Sequence, residues 1–480
     1  MSAALPHLPA LRWGEEYPSL TALDLADHRT GAVVGRLSQV NAGLVRRDLK
    51  RAAAAGSALR ALTTQQILER CRAAAELFLE AELPLGGGFV QSGADYRAML
   101  AATGGLPLAL ARANQEKLAG VLRELGTILA GLTRGLAPAE LDVDVGEHGG
   151  IPLWFAPETP ALGAVLPSNS PGVNALWLPA LAFKVPVALK PGSGDPWTPW
   201  RLAQALIAAG LPREAFGLYP TDHEGAAAIL DGCERALLFG DVRTTAPWAG
   251  KPAVEIHGPG RSKVWIGADE IERWERHLDV LVDSIALNGG RSCVNASCVV
   301  VPRQADEIAE ALAEKLSDLR PRPLDDPEAR LAAFADAGLA ERIDAGISAA
   351  LEANGAREVS AGPRQGQRRV TLAGSTFLQP TVVRCTRLDH PLANTEYLFP
   401  FASVVELADD QALDWMGDTL VVSAITHDRG NVERLTSSKR IGRLNLGPIP
   451  TTSVRWDQPH EGNLFDFLFT RRAVQRARGW

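Results

Sequence analysis

Ala161-Leu-Gly-Ala-Val-Leu-Pro167-Ser-Asn169-Ser-Pro171 decides the fold of this chain. A short apolar run without polar alternation makes a strand covered on both faces, and such strands belong to parallel sheets. The polar turn after Pro167 opens a helix over 173–183. The rhythm then repeats, with strands expected at 185–190, 216–220, 235–240 and 253–257 and helices at 199–209 and 224–230. Strand, crossover and strand in this order give a parallel sheet with helices on its faces. Ligands meet such sheets at the carboxyl ends of the strands, where Asn169 and Lys190 stand.

Working outward, a strand pair surrounds Arg29-Thr-Gly-Ala-Val-Val-Gly35, and Ala-rich amphipathic helices fill 45–83 and 96–136. Residues 141–154 alternate around Gly149-Gly150 and read as an exposed hairpin. Beyond the parallel sheet a second α/β unit begins, with a helix at 269–287, a strand at 297–302 and a helix at 305–316. At 480 residues the chain is too long for one ordinary core.

Composition narrows the function. Hydrophobic residues make up 46% and charged residues 22%, the balance of a globular protein, and no run is apolar enough to span a bilayer. Residues 1–13 lack the basic and apolar regions of a signal peptide, so the cytoplasm is expected. A net charge of −7, spread along the chain, argues against a nucleic-acid partner. Five cysteines without C-x-x-C spacing argue against a disulfide framework and structural zinc, and the nine histidines show no ligand pattern, so no metal is expected.

Four features carry chemistry. Asn288-Gly-Gly-Arg-Ser-Cys293-Val-Asn-Ala-Ser-Cys298 is a small-residue turn between a helix and a buried strand. A thiol there has room around its sulfur and amides nearby for an oxyanion, although a buried structural Cys is the commoner fate. Cys298 begins the strand and reads as core. Asn169 ends a parallel strand, where its amide either donates to a developing oxyanion or serves a turn. Lys190 ends the next strand, within reach of a nucleotide ribose or phosphate. Glu255 lies inside the apolar strand 253–257, which is costly for a carboxylate unless it is paired or acts as a base.

These pieces, in this order, resemble the aldehyde dehydrogenase family over nearly the whole chain. In the family's signature the nucleophile follows an Asn by five positions and a Gly by three, as Cys293 follows Asn288 and Gly290; where the family commonly has Gln, this chain has Arg291. Asn169 matches the family's oxyanion Asn and Glu255 its general base. Lys190 matches the cofactor-binding Lys, and Glu396 in Asn394-Thr-Glu396-Tyr-Leu-Phe-Pro400 matches the carboxylate on the nicotinamide ribose. The resemblance implies an α/β fold with a Rossmann-like parallel-sheet cofactor domain (1–138 and 158–254). It adds an α/β catalytic domain (255–440) and bridging or oligomerisation segments (139–157 and 441–480), in which the hairpin 141–154 and a strand at 465–470 join a homodimer or homotetramer. It further implies NAD or NADP held near Pro167, Lys190, Ser193, Gly240 and Glu396, and a small aldehyde or acyl thioester as substrate.

The chain departs from the family in three further places. The cofactor-phosphate turn reads Phe239-Gly240-Asp241-Val-Arg-Thr-Thr245, and the segment to Glu255 is shortened, so that most of one helix is missing and a negative charge faces the phosphates. Ser193 replaces the family's ribose-binding Glu, which removes repulsion against a 2′-phosphate and permits NADP. His257-Gly-Pro-Gly260 resembles the CoA-acylating branch, whereas Glu255 favours hydrolysis. Oxidation of an aldehyde to an acid, CoA-dependent acyl transfer and a non-redox subunit or scaffold all remain open at this stage.

Overall fold

The structure is a computed structural model that describes residues 5–143, 145–475 and 477. The start of the expected 1–138 and 1–13 segments, one residue of the expected hairpin and most of the end of 441–480 therefore lie outside the described residues.

The expected parallel strands form. Leu162–Val165, Val187–Lys190, Phe216–Leu218, Arg235–Phe239 and Val254–His257 pair in parallel, and Ala10–Arg12 and Glu15–Tyr17 extend the sheet antiparallel beyond Phe216–Leu218. Leu162–Val165 has Val187–Lys190 on one side and Arg235–Phe239 on the other. The chain order therefore reverses beside it and opens a crevice at its carboxyl end. The inner strands are largely buried because helices cover both faces, with Leu162, Val187 and Phe216 in one core and Ala164 beside Leu189 in the same layer, whereas the edge strand Val254–His257 is only partly buried. Ala188, Ala236 and Leu238 face the other core.

A second sheet carries Ser262–Ile266 at its centre, between Ala296–Val301 and Thr419–Ile425. Phe401–Glu406 and Thr381–Cys385 continue it on one side and Ile441–Leu446 on the other. Val254–His257 thus crosses the expected 254/255 boundary, and Ile441–Leu446, beyond residue 440, is hydrogen-bonded to Thr419–Ile425. A third sheet joins Val145–His148, Ile151–Pro157 and Phe469–Arg472. Its hairpin turns on Gly149 and Gly150, both at positive φ, as the sequence anticipates.

Three local expectations change. The helix at 173–183 is a 3-10 turn, Pro171–Leu176, followed by the short helix Leu178–Ala182, because Pro179 falls where a longer helix would need its amide. The helix at 269–287 starts as the 3-10 segment Ile271–His277 and becomes α only at Leu278–Ala286. The strand at 465–470 is mostly helix, Leu464–Leu468: the Asn463 side chain accepts from the amides of Phe465 and Asp466 and nucleates the turn, and pairing begins at Phe469.

Candidate active site

Cys293 lies in the loop before Ala296–Val301, at the amino edge of the second sheet and against the carboxyl edge of the first. Asn288, Gly289 and Gly290 all have left-handed backbone, which turns the chain sharply after Leu278–Ala286. Glycine is required at Gly290, where a Cβ would run into the backbone of Phe399 and Pro400. Asn288 tolerates its conformation as Asn often does, and its side chain is held by Asn114 at 2.7 Å and by Ser170 at 3.3 Å.

Arg291 pins the loop from below. It is buried, stacks over Phe334, and donates to the carbonyl oxygens of Gly104 at 2.8 Å and Ala333 at 3.0 Å. Burial without a carboxylate pushes the guanidinium down to about 10. The residue read as a departure in the family signature is therefore the anchor of the turn. Gly260 serves the same loop: the Cys293 carbonyl passes so close that a Cβ could not fit, and the Ser262 hydroxyl donates to that carbonyl at 2.8 Å. The final Gly of Gly258-Pro-Gly260 thus has a packing role independent of CoA.

The Cys293 thiol is partly buried and donates to Glu461 Oε1 at 3.2 Å. The second oxygen of Glu461 is hydrogen-bonded to His257 Nδ1, and His257 Nε2 lies 3.4 Å from Glu255 Oε1. Burial, then the neighbouring charges of Glu461 and Glu396, push the Cys293 thiol well above its ordinary value. Burial raises Glu255, and the charge of Glu461 adds to it. For His257, burial works against protonation, but the Glu461 hydrogen bond and the two carboxylate charges outweigh it and raise the imidazole. Glu461 moves oppositely: burial opposes ionisation, yet the His257 bond and charge draw it down to about 2. Asn169 sits beside this cluster and donates one amide hydrogen to the Arg291 carbonyl at 3.0 Å, leaving its other amide hydrogen for an oxyanion. Cys293 and Glu255 are thus linked through Glu461 and His257, Asn169 is tied to the Cys293 loop at Arg291, and Cys298 is fully buried in the core.

Glu461 and His257 were not singled out from the sequence. His257 appears there only as the first residue of His-Gly-Pro-Gly, and Glu461 lies in an irregular loop far along the chain. The signal that marks them is pairwise, a His two residues after Glu255 on the same strand face and a loop carboxylate that needs a partner. An apolar cavity of about 70 Å³ adjoins the cluster, lined by Val121, Leu132, Leu176, Trp456 and Leu464 and ending at Glu255 and His257. Trp456 therefore lines space, whereas Trp177 is wholly buried and bonded to Asn174.

The expected cofactor residues divide into two groups. Lys190 stands at the carboxyl end of its strand, and burial lowers its ammonium with no acidic partner on it among the described residues. Ser193 beside it is exposed, and Gly192 lets the chain pass against the Pro167 carbonyl and the Ser168 hydroxyl. A desolvated, uncompensated ammonium in this crevice fits the oxygens of an adenosine ribose, with or without a 2′-phosphate. The phosphate turn is different. After Gly240 come the four-residue helix Val242–Thr245 and the 3-10 turn Ala246–Trp248, and the Thr244 amide and hydroxyl are already bonded to Asp241 at 2.9 and 2.8 Å. Those bonds hold the Asp241 carboxyl below its ordinary value, so the negative charge persists at neutral pH. Arg243 and Asp241 form no ion pair among the described residues. Glu396 accepts from the Arg261 amide at 2.5 Å, and burial raises it to about 7. Among the described residues no cluster of His, Cys, Asp and Glu could hold a metal ion, and no helix is long and apolar enough to cross a membrane.

Comparison with known proteins agrees with this arrangement. Residues 16–463 match the model of the aldehyde dehydrogenase family. Among curated proteins the chain is 23% identical over 326 residues to a 2-aminomuconic 6-semialdehyde dehydrogenase of a Pseudomonas species, covering 64% of this chain and 65% of that protein. It is 23% identical over 300 residues to a putative succinate-semialdehyde dehydrogenase [NADP(+)] 2 of Mycobacterium tuberculosis (strain ATCC 25618 / H37Rv), covering 59% and 56%. The chain thus spans less than two thirds of the length of these relatives. Among solved structures it superimposes on an indole-3-acetaldehyde dehydrogenase complexed with NAD+ (TM-score 0.79, 19% identity, 98% of this chain and 97% of that one). It also superimposes on the aldehyde dehydrogenase KauB from Pseudomonas aeruginosa (TM-score 0.79, 20% identity, 97% and 96%). At such identities the superpositions speak for the fold, and the match over residues 16–463 speaks for kinship: the chain belongs to the aldehyde dehydrogenase family.

Proposed function

We propose that the chain oxidises an aldehyde to a carboxylic acid through a covalent intermediate on Cys293, with NAD or NADP as hydride acceptor. The observation that carries this reading is the Cys293 thiol bonded to Glu461, which lines an apolar cavity together with Glu255, while the Asn169 amide is tied to the same loop at Arg291. Cys293 Sγ attacks the carbonyl carbon, and the oxyanion is received by the free Asn169 amide hydrogen and the Cys293 backbone amide. The nicotinamide, when bound, supplies the two-electron acceptor for the substrate's hydride. Lys190, Ser193 and Pro167 would hold its adenosine end, Gly240 would border its phosphates and Glu396 its nicotinamide ribose. Glu255, kept basic by burial, then takes a proton from water as the water attacks the thioester, which frees the acid and restores the thiol.

The cofactor assignment is supported by kin: one relative is named for NADP(+) and one structural neighbour was solved with NAD+. Glu255, joined to the thiol through His257 and Glu461, favours hydrolysis over acyl transfer to CoA, since Gly260 is accounted for by packing. We place the cofactor-binding unit on the first sheet and the catalytic unit on the second. The arm of Val145–His148, Ile151–Pro157 and Phe469–Arg472, with Ile151 exposed, joins two or four copies in the cytoplasm.

The test is reduction of NAD and NADP by the purified protein across an aldehyde panel, with and without CoA. Turnover that vanishes in Cys293→Ala, persists in Cys298→Ala and ignores CoA supports the proposal. A strict CoA requirement would place the chain in the acylating branch, and silence with every aldehyde would favour a non-redox subunit, the reading that the Asp241 turn motivates.

A further inference from the structure

A histidine two positions after Glu255 lies between the two carboxylates of the site, and its place there is built in. Phe239 and His257 are paired in the sheet register, and their rings stack at 4.5 Å with 13° between planes. The imidazole therefore presents Nδ1 to Glu461 and Nε2 towards Glu255 without freedom to turn away. Nε2 is buried and lacks a well-formed hydrogen bond, a contact that a small rotation of the Glu255 carboxylate would close. Cys293 completes the line through Glu461.

We propose that His257 is a positioning and proton-carrying residue that couples Cys293, through Glu461, to Glu255, so that the thiol's proton can leave as sulfur attacks. The proposal rests on the reading of Cys293 as nucleophile. In the step, the S–H bond breaks with its proton going to Glu461 Oε1, the sulfur electron pair forms the S–C bond, and the carbonyl π pair becomes the alkoxide. Glu461 facing an imidazolium is too weak a base for this alone. As the thiol proton arrives, the Nε2 proton of His257 passes to Glu255, the imidazole becomes neutral with Nδ1–H retained, and Glu461 regains basicity. Glu255, whose side chain is 25% exposed, returns that proton to solvent before it serves water.

The charged and titratable groups around the line are few. His257 faces Glu255 and Glu461; Glu461 also faces His460 and Arg443; Cys293 faces Glu396, Lys117 and Arg443. His460, buried and pushed down to about 4, stays neutral near physiological pH and leaves the line's charge to His257. Arg443 acts on both Glu461 and Cys293 and Lys117 on Cys293, and burial lowers both cations.

The experiment is the rate of Cys293 carboxamidomethylation by iodoacetamide between pH 5 and 10, read by peptide mass spectrometry, without aldehyde or cofactor. His257→Phe keeps a ring on Phe239 and removes both nitrogens, and Glu461→Gln removes the first acceptor. Both are expected to react at least ten-fold more slowly than wild type at pH 7, with the difference narrowing as pH rises and hydroxide takes the thiol proton directly. An unchanged rate at pH 7, or an equal fall at every pH, would overturn the relay, the second because it marks a merely structural role. Should His257→Phe fail to fold, Glu255→Gln removes the last acceptor and must slow alkylation at pH 7 in the same way. Because no substrate is present, an active dehydrogenase with an unaltered alkylation profile sinks the relay alone. An inactive protein with the expected profile sinks the oxidation reading alone.

Discussion

Gly462, at φ +60°, rests against Glu255: a Cβ on it would stand 2.5 Å from Glu255 Oε1. The loop that delivers Glu461 to the thiol therefore also sets the space for the second carboxylate. Gly462→Ala adds about 1 kcal/mol of left-handed backbone strain and displaces the Glu255 carboxylate. Turnover should fall at least ten-fold with only a small loss in Tm. A variant with full kcat would show that Glu255 acts from elsewhere.

Arg291 donates to two buried carbonyl oxygens, so Arg291→Met leaves both without partners. Hydrogen bonds to a charged group contribute about 1.5 to 3 kcal/mol each, and a loss of about 3 kcal/mol is expected. The half-life of the protein at elevated temperature measures it. A variant as durable as wild type would mean that the turn around Cys293 holds without its clamp.

Acid stability follows from Glu461. Its folded value, about 2, lies below the ordinary 4.5, so its contribution is fully present above pH 4.5 and is lost as pH falls towards 2. A shift of that size corresponds to something on the order of 3 kcal/mol. His257 has the opposite sign: its raised value makes its contribution complete below pH 6.5 and weaker as pH rises through the folded value. The pair is thus strongest between about pH 4.5 and 6.5, and Glu461→Gln should flatten denaturant midpoints across pH 2 to 4.5. Parallel curves for wild type and variant would contradict the assignment.

Asp241 caps its own short helix and keeps its charge. Asp241→Asn preserves the cap, since Asn accepts from the Thr244 amide equally well, and removes a negative charge where a dinucleotide's phosphates would pass. A unit charge at about 4 Å in a solvated site is worth about 1 kcal/mol, so KM for NAD and NADP should fall about five-fold with kcat unchanged. Unaltered KM values would place the phosphates away from this turn.

The parts of the fold legible in the sequence are those with one physical reading. A strand such as Leu162–Val165, buried on both faces, has to be continuously apolar, and the left-handed turn at Asn288 to Gly290 has to be small or Asn. The segment 465–470 misled because its aromatic residues suit a strand face and a short helix equally, and a single cap at Asn463 tips it to helix. Within the site, Cys293, Asn169 and Glu255 stand in recognisable local company. Glu461 does not: its meaning comes from a hydrogen bond that spans 168 residues of sequence, which no local pattern encodes. Arg291 could be seen as unusual, but its targets, the carbonyls of Gly104 and Ala333, are backbone atoms without a side-chain signature.

The clamp at Arg291 and the bond from Cys293 to Glu461 also bear on how the molecule comes into being. A chain synthesised from its amino end exposes residue 293 well before residues 333 and 461 exist. Until then Arg291 has only one of its two carbonyl acceptors and the sulfur has none, so a nascent or truncated chain carries an ordinary thiol. On the proposed reading of Cys293, the Glu461 acceptor that its attack needs arrives only with the completed tertiary structure.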